Sequence, residues 1–180
     1  MDLFEALRAA DAVDAKFSLW LSEAATLWGL VHSYPSPNVV EIGVFWGRTS
    51  IVLAAAAQRV GGYYWGVDKF GKDCPQSRFI ETLQKHGLPF GLLGAASATV
   101  PWENGPIDVL LIDGDHEEAG IAKDCEIWLP RIRPGGMVVF DDYDDGLAPH
   151  AGIKRQADSH TGSWERVKVS PKLLLARKPV

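Results

Sequence analysis

The sequence predicts an α/β fold: a doubly wound, mostly parallel sheet with an antiparallel C-terminal edge strand. Three observations support this prediction. Apolar segments of strand length alternate with helical segments from residue 38 onward, which is typical of parallel strands joined by right-handed crossovers. Residues 107–112 and 137–140 are apolar and run directly into acidic residues. Residues 164–169 and 173–177 are joined by a short connection without a helix, which predicts an antiparallel pair.

The N-terminal region, residues 1–34, is predicted to be a helical cap. Between residues 2 and 31 apolar positions recur with helical spacing, as in Phe17, Leu21, Ala25 and Trp28. The segment Tyr34-Pro35-Ser36-Pro37-Asn38 then ends the helix. Residues 38–180 form the α/β core, and a chain of 180 residues is expected to be a single domain.

The core is predicted to alternate strands and helices. Strands are expected at residues 38–42, 63–67, 90–93, 108–112 and 137–140. Helices are expected at residues 49–59, 76–86, 117–129 and 151–159. The tripeptide Pro134-Gly135-Gly136 is expected to be a turn that leads into the fifth strand.

Composition and charge exclude several classes of protein. An apolar fraction of 47% is ordinary for a folded domain. The net charge of −5, without a stripe of Lys and Arg, argues against a nucleic-acid partner. Cys74 and Cys125 have neither a disulfide pattern nor metal-ligand spacing. No segment resembles a leader or a membrane span, so a soluble, cytoplasmic protein without a membrane partner is expected.

The turn after the first strand, Glu41-Ile42-Gly43-Val44-Phe45-Trp46-Gly47, is a candidate ligand-binding turn. Gly43 lets the backbone turn sharply, and Gly47 allows close approach of a ligand or a neighbouring helix. Phe45 stands where a dinucleotide-binding motif has a further glycine, which disfavours a phosphate cradle and a nicotinamide dehydrogenase. Glu41 adds negative charge, which suits a cationic ligand group. The alternative is a turn that only connects two elements.

Two other strand ends carry candidate binding residues. Asp68 follows the second strand at the offset where nucleotide-binding α/β folds place an acid on the ribose hydroxyls. A helix cap or a solvated turn residue is the alternative for Asp68. Ser97 ends the segment Gly94-Ala95-Ala96-Ser97, whose small side chains would let a flat base lie against the backbone. A loop capped by Ser97 is the alternative there.

The acids after the fourth and fifth strands form the strongest candidate site. Asp113 and His116 follow the fourth strand, and Asp141 and Asp142 follow the fifth. If these strands are parallel neighbours, the side chains meet at the edge where α/β sheets bind ligands. Carboxylate oxygens suit a hard cation such as Mg²⁺ or Ca²⁺, and His116 could remove a proton from a hydroxyl bound beside it.

Other acids nearby have simpler interpretations. Asp115 suits an N-cap of the helix predicted at residues 117–129. Asp144 and Asp145 are interpreted as members of a solvated acidic loop.

Several motifs occur in order between residues 38 and 143. They are Val40-Glu41-Ile42-Gly43, Gly47-Arg48-Thr49-Ser50, residues 108–116 ending in Asp113-Gly114-Asp115-His116, Asp124, Trp128-Leu129-Pro130, Pro134-Gly135-Gly136 and Phe140-Asp141-Asp142. Together they resemble the class I S-adenosylmethionine-dependent methyltransferases. Within that class the resemblance is greatest to the small-molecule O-methyltransferase branch, which includes macrolide-sugar and catechol O-methyltransferases.

The resemblance implies methyl transfer from S-adenosylmethionine to a hydroxyl oxygen of a small molecule, a sugar or a phenolic compound, with the assistance of a divalent metal such as Mg²⁺. It implies cofactor contacts from Glu41, Gly43, Gly47, Asp68, Ser97 and Asp113. It implies a metal held by Asp113, Asp141 and Asp142, and His116 as the catalytic base.

Two alternatives to this function, and one question about the pocket, remain open. A metal-independent methyltransferase would use the acids only to position substrate or water. A binding module of the same fold would hold the cofactor without turnover. The substrate pocket itself is either open or completed by a second subunit in a homo-oligomer, because the short chain has few segments that could cover it.

Overall fold

The computed structural model describes residues 1–13 and 21–180, in which seven strands pair into one sheet. The strands are β1 (Asn38–Ile42), β2 (Tyr63–Val67), β3 (Gly91–Leu93), β4 (Ile107–Ile112), β5 (Ile132–Phe140), β6 (Glu165–Lys168) and β7 (Leu174–Arg177). Their spatial order is β3-β2-β1-β4-β5-β7-β6. Pairs among β1 to β5 are parallel, and β7 is antiparallel to β5 and β6. The predicted fold class is confirmed, with the refinement that the antiparallel strand β7 lies inside the edge strand β6.

The helices flank this sheet. They are α1 (Leu3–Asp11), α2 (Leu21–His32), α3 (Arg48–Arg59), α4 (Gln76–Lys85), α5 (Glu118–Trp128) and α6 (Ala151–Thr161). Alternate strand residues face opposite sides: Val39 and Val109 join the core formed with α1 to α4, whereas Val40 and Leu110 join the core formed with α5 and α6. In the described part of the chain, no helix combines the length and the apolar character that crossing a bilayer requires.

The helical pattern predicted over residues 2–31 corresponds to two helices in the described residues, with a break after the first. A capping box, in which Asp2 accepts from the Glu5 amide and Glu5 accepts from the Asp2 amide, starts α1. That helix ends at Asp11, residues 12–13 form a turn, and the description resumes at Leu21 in α2. Phe17, which contributed to the predicted helical spacing, lies outside the described residues.

The segment Pro134-Gly135-Gly136 lies inside a strand, so its prediction as a turn before the fifth strand is wrong. β5 begins at Ile132, and its pairing with β4 shifts register between Ile107 and Val109. Gly135 has a φ of +75°, which a glycine adopts without strain, and its amide donates to the Lys178 carbonyl at 3.0 Å. The segment is therefore an irregularity of the β-bulge kind, at which a strand bends locally.

The register of the parallel strands brings their carboxyl ends to one edge of the sheet. Ile42 pairs with Val67 on one side and with Ile112 on the other, and Ile112 pairs with Phe140. Hydrogen bonds continue one residue beyond the strands, from the Gly43 amide to the Val67 carbonyl at 2.9 Å and from the Asp141 amide to the Ile112 carbonyl at 3.1 Å. This register places the glycine turn and both groups of acids side by side.

Candidate active-site cleft

A cleft of about 880 Å³ opens at the edge where β1, β2, β4 and β5 end. Its volume falls within the range of small-molecule sites, about 300–1,000 Å³. Most of the predicted site residues line it, namely Glu41, Gly43, Asp68, Ser97, Asp113, His116, Asp141 and Asp142. Gly47 is the predicted site residue that does not belong to this lining.

The two glycines of the β1–α3 turn serve different purposes. Gly43 has a φ of +85°, and a Cβ atom there would lie 2.1 Å from the carbonyl oxygen of Asp113. Only glycine therefore lets β1 and β4 end so close together. Gly47 also has a positive φ, and a Cβ atom there would lie 2.9 Å from a methyl carbon of Leu83. Its small size permits α3 to pack on α4.

Phe45 occupies the middle of the turn in a left-handed conformation, with a φ of +46°. Such a backbone is strained for a residue with a Cβ atom, and it is held by Asp68. One oxygen of the Asp68 carboxylate accepts from the amides of Val44 and Phe45 at 3.0 and 3.1 Å, and the other accepts from the Phe70 amide at 2.7 Å. Asp68 thus shapes the turn as well as lining the cleft.

Glu41 is 1% exposed at the base of the cleft. Its Oε2 atom accepts hydrogen bonds from the Ser50 hydroxyl at 2.6 Å and from the Tyr64 hydroxyl. Burial raises the pKa of Glu41 to about 8, although these two hydrogen bonds oppose the shift. Near neutral pH this carboxyl is consequently protonated in a large fraction of the molecules.

Ser97 also lines the cleft, and two hydrogen bonds to residues of α5 hold it in place. Its hydroxyl donates to the buried Asp124 carboxylate at 2.5 Å, and its carbonyl accepts from the Trp128 indole at 3.3 Å. Burial raises the pKa of Asp124. Ala96 and Ala98 flank Ser97 in the lining, so this part of the cleft is formed by small side chains.

Asp113, Asp141 and Asp142 converge at the end of the cleft beyond β4 and β5. One carboxylate oxygen from each lies within 4.8 Å of the others. Burial, together with the negative charge of the neighbouring Asp113 and Asp142, raises the pKa of Asp141 to about 8. Burial also raises the pKa of Asp113. The Lys172 ammonium donates to Asp142 Oδ1 at 2.7 Å and offsets part of this negative charge.

His116 lies in the loop between β4 and α5 and faces the three acids. Its Nε2 atom lies 3.8 Å from Asp113 Oδ1 and 3.7 Å from Asp142 Oδ2. The interaction with the Asp113 carboxylate raises the pKa of His116, although burial opposes the shift. The His150 ring lies 4.6 Å from that of His116, centroid to centroid, at 66°. His150 Nδ1 in turn lies 2.8 Å from Asp145 Oδ2.

Three acids outside this cluster differ from, or refine, their predicted roles. The N-cap of α5 is Glu117, so the prediction of Asp115 as the cap is wrong by two residues; Asp115 instead accepts from the Glu117 amide at 3.0 Å. Asp145 is not solvated, because its side chain is only 6% exposed against His150. Asp144 does lie on an exposed face, where it pairs with Lys154 and Lys168.

Four residues that contact the predicted site residues were not predicted from the sequence: Ser50, Tyr64, His150 and Lys172. Ser50 lies in the predicted third helix and Tyr64 in the predicted second strand, where each is also an ordinary structural residue. Lys172 follows the acids by thirty positions in a connection between strands, and its contact with Asp142 depends on β7 pairing with β5. For His150, its position five residues after Asp145 was the one feature of the sequence that could have indicated their contact.

The sheet order and the ligand-sized cleft at the carboxyl edge define a Rossmann-like α/β domain with its site at the usual topological position. A family model described as a methyltransferase domain matches residues 40–143. The chain belongs to this family, which confirms the resemblance at the level of methyltransferases.

Individual relatives are more distant. The chain is 27% identical to the 8-demethyl-8-alpha-L-rhamnosyl tetracenomycin-C 2'-O-methyltransferase of Streptomyces olivaceus, over 84% of this chain and 48% of that protein. The chain spans about half the length, or less, of the curated relatives it matches.

Two solved structures illustrate the shared fold. Cofactor-bound Rv0187 from MTB has a TM-score of 0.74 at 22% identity, with 97% of this chain and 88% of that chain covered. The O-methyltransferase TomG from Streptomyces achromogenes, solved with S-adenosylmethionine, has a TM-score of 0.70 at 19% identity, with 99% and 89% covered. At these identities the likeness establishes the fold alone.

Proposed function

We propose that this chain transfers the methyl group of S-adenosylmethionine to a hydroxyl oxygen of a small molecule, a sugar or a phenolic compound, with the assistance of a divalent metal. The observation that carries the proposal is the cleft itself. Its lining brings together the glycine turn, Asp68, and the cluster of acids with His116. These residues lie at the carboxyl edge of the sheet in a chain of the methyltransferase family. The named activity of the Streptomyces olivaceus relative, a 2'-O-methyltransferase of a rhamnosyl compound, favours a sugar hydroxyl as acceptor.

The cleft fits the cofactor in size and chemistry. Bound there, S-adenosylmethionine supplies a methyl carbon activated by its sulfonium group. Gly43 presents its backbone in the cleft lining, and Glu41 lies at the base of the cleft, where the cationic amino group of the bound cofactor would favour the ionised form of this carboxyl. Asp68 retains lone pairs for ribose hydroxyls while it accepts from the turn amides. Ser97 and its alanine neighbours provide a low wall for the adenine.

The acid cluster fits a divalent cation. Asp113, Asp141 and Asp142 offer oxygens close enough to share one ion, and oxygen ligands are those that Mg²⁺ prefers. The raised pKa values of Asp113 and Asp141 reflect buried negative charge that Lys172 only partly offsets. A cation held by these oxygens would lower the pKa of an acceptor hydroxyl and orient it.

His116 is the proposed base for that hydroxyl. Its Nε2 atom faces the acid cluster in the cleft lining, where an acceptor oxygen would have to lie. Because Asp113 raises the pKa of His116, the neutral form that accepts a proton becomes abundant only at a higher pH than for an unperturbed imidazole. The chain's other contribution is positioning of the acceptor oxygen in line with the methyl group.

Calorimetry tests the cofactor part of this proposal. S-adenosylhomocysteine should bind the parent protein, and Asp68→Ala should weaken that binding by at least about tenfold, since it removes both the turn support and the ribose acceptor. Asp73→Ala, a change at an exposed acid outside the cleft lining, is the matched control and should bind as the parent does. Absence of binding to the parent protein would refute the proposed function.

A metal-independent methyltransferase is the second candidate, and Lys172 favours it. The Lys172 ammonium already provides a positive charge at Asp142 Oδ1, where it could stabilise a developing oxyanion. Methyl transfer measured with Mg²⁺ and with excess EDTA separates the two. Activity that persists in EDTA and falls in Lys172→Met would establish the second candidate, whereas activity lost in EDTA and restored by Mg²⁺ would establish the first.

A further inference from the structure

We propose that His116, His150 and Asp142 form a second divalent-metal site, distinct from the three-carboxylate cluster and selective for a borderline transition ion such as Zn²⁺ or Co²⁺. The three side chains each present one ligand atom, and these atoms all lie within 4.8 Å of one another. The site lies at the end of the cleft, and it shares only Asp142 with the cluster proposed to hold Mg²⁺.

The distances within this group fit ligands of a common ion better than hydrogen-bond partners. Asp142 Oδ2 lies 3.7 Å from His116 Nε2 and 3.6 Å from His150 Nδ1. Both separations are too long for hydrogen bonds. Tetrahedral ligands bound at 2.0–2.2 Å are separated by about 3.3–3.6 Å, so a small inward movement would bring all three atoms to bonding distance of one ion.

The two oxygens of Asp142 are assigned to different partners. Lys172 binds Oδ1 at 2.7 Å, which leaves Oδ2 directed toward the two imidazoles. Asp142 is 7% exposed and has a φ of +51°, a left-handed backbone that few non-glycine residues adopt. A strained backbone that holds a buried carboxylate between two histidines is typical of a functional position.

Asp145 fixes the position of the His150 ring. Its Oδ2 atom lies 2.8 Å from His150 Nδ1 and its Oδ1 atom accepts from the Leu147 amide at 2.9 Å, so the His150 ring is held in place. Asp145 contacts the same nitrogen that would bind the ion, so the proton shared between Nδ1 and Asp145 has to leave when the ion binds. An ion that replaces this proton would lie beside Asp145 Oδ2, which could then act as a further ligand.

The ligand set determines which ion is preferred. Two imidazole nitrogens and one carboxylate suit Zn²⁺, Co²⁺ or Ni²⁺, whereas Mg²⁺ takes oxygen ligands and water. The consequence for catalysis rests on the proposed function: an ion on His116 Nε2 occupies the lone pair that would accept the hydroxyl proton. Zn²⁺ should then inhibit the methyl transfer that Mg²⁺ supports.

Titration of the full-length, chelator-stripped protein with Co²⁺ tests the site without reference to activity. One equivalent should bind and produce visible ligand-field absorption, and excess Mg²⁺ should not displace it. His150→Ala should weaken Co²⁺ binding by at least about 100-fold, because it removes one of the three proposed ligands. His160→Ala, a change at a histidine of α6 that bonds only the Gln156 carbonyl among the described contacts, is the matched control.

Three results would overturn the site: no Co²⁺ absorption, Co²⁺ affinity in His150→Ala within twofold of the parent, or loss of affinity in Asp141→Asn but not in His150→Ala. If the His150 variant fails to fold, as judged by loss of S-adenosylhomocysteine binding, X-ray absorption of the Zn²⁺-loaded parent decides instead. Two imidazole ligands would support the site, and a shell of oxygens alone would refute it. S-adenosylhomocysteine binding to the parent tests the proposed function separately.

Discussion

The buried carboxyl of Glu41 makes the stability of the fold depend on pH in a way that Glu41→Gln should remove. The folded protein raises the pKa of this group from an ordinary 4.5 to about 8, because the side chain is 1% exposed. A raised pKa means that the folded state binds the proton more tightly than the unfolded state does. The contribution to stability is therefore present at low pH and is lost as the pH rises toward 8.

The magnitude follows from linkage. Each pH unit between the two pKa values changes the free energy of unfolding by about 1.4 kcal/mol. Between about pH 5 and about pH 8.5 the parent should lose about 4 kcal/mol relative to Glu41→Gln, which keeps acceptor and donor groups of similar shape but cannot ionise. The comparison cancels other titrating groups, Asp141 among them, because both proteins contain them.

Urea unfolding at several pH values measures this difference. The free energy of unfolding of the variant minus that of the parent should increase steadily with pH, while the same difference for the exposed Glu103→Gln stays flat. A difference for Glu41→Gln that changes by less than about 1 kcal/mol over this range, or that decreases with pH, would refute the inferred burial of an uncompensated carboxyl.

Further predictions concern the base, the metal cluster and the glycine turn. His116→Asn should lower kcat by about 10²- to 10⁴-fold with S-adenosylhomocysteine affinity unchanged by calorimetry, and an unaltered kcat would exclude His116 as the base. Asp141→Asn should raise the Mg²⁺ concentration needed for half-maximal activity by at least about tenfold; an unchanged Mg²⁺ dependence would place the ion elsewhere. Gly43→Ala should destabilise the fold by more than about 3 kcal/mol, because its Cβ would overlap the Asp113 carbonyl, whereas Gly71→Ala, with open space around it, should not. Urea denaturation of the two glycine variants measures this difference. Equal stabilities would contradict the close approach of Gly43 to the Asp113 carbonyl.

The convergence of the acids was predictable because it depends on backbone pattern. Buried parallel strands are continuous apolar segments, and the residue after each one must lie at the carboxyl edge, so Asp113 and Asp141 could be placed together from the sequence. The N-terminal cap was predicted less well. Helical spacing indicates a helix but does not show where it breaks, and α1 and α2 share one periodic pattern that is interrupted at residues 12–13.

The chain alone determined the fold class, the family and the edge of the sheet at which the cleft opens, because strand length, helical periodicity and glycine positions are local properties of the sequence. Only the tertiary structure decided which side chains meet at that edge. Glu41 is enclosed by Tyr64, and Asp142 is divided between Lys172 and two histidines, through contacts between residues far apart in the chain. Burial and pairing set the charge of a carboxyl, and both depend on neighbours that no local pattern specifies.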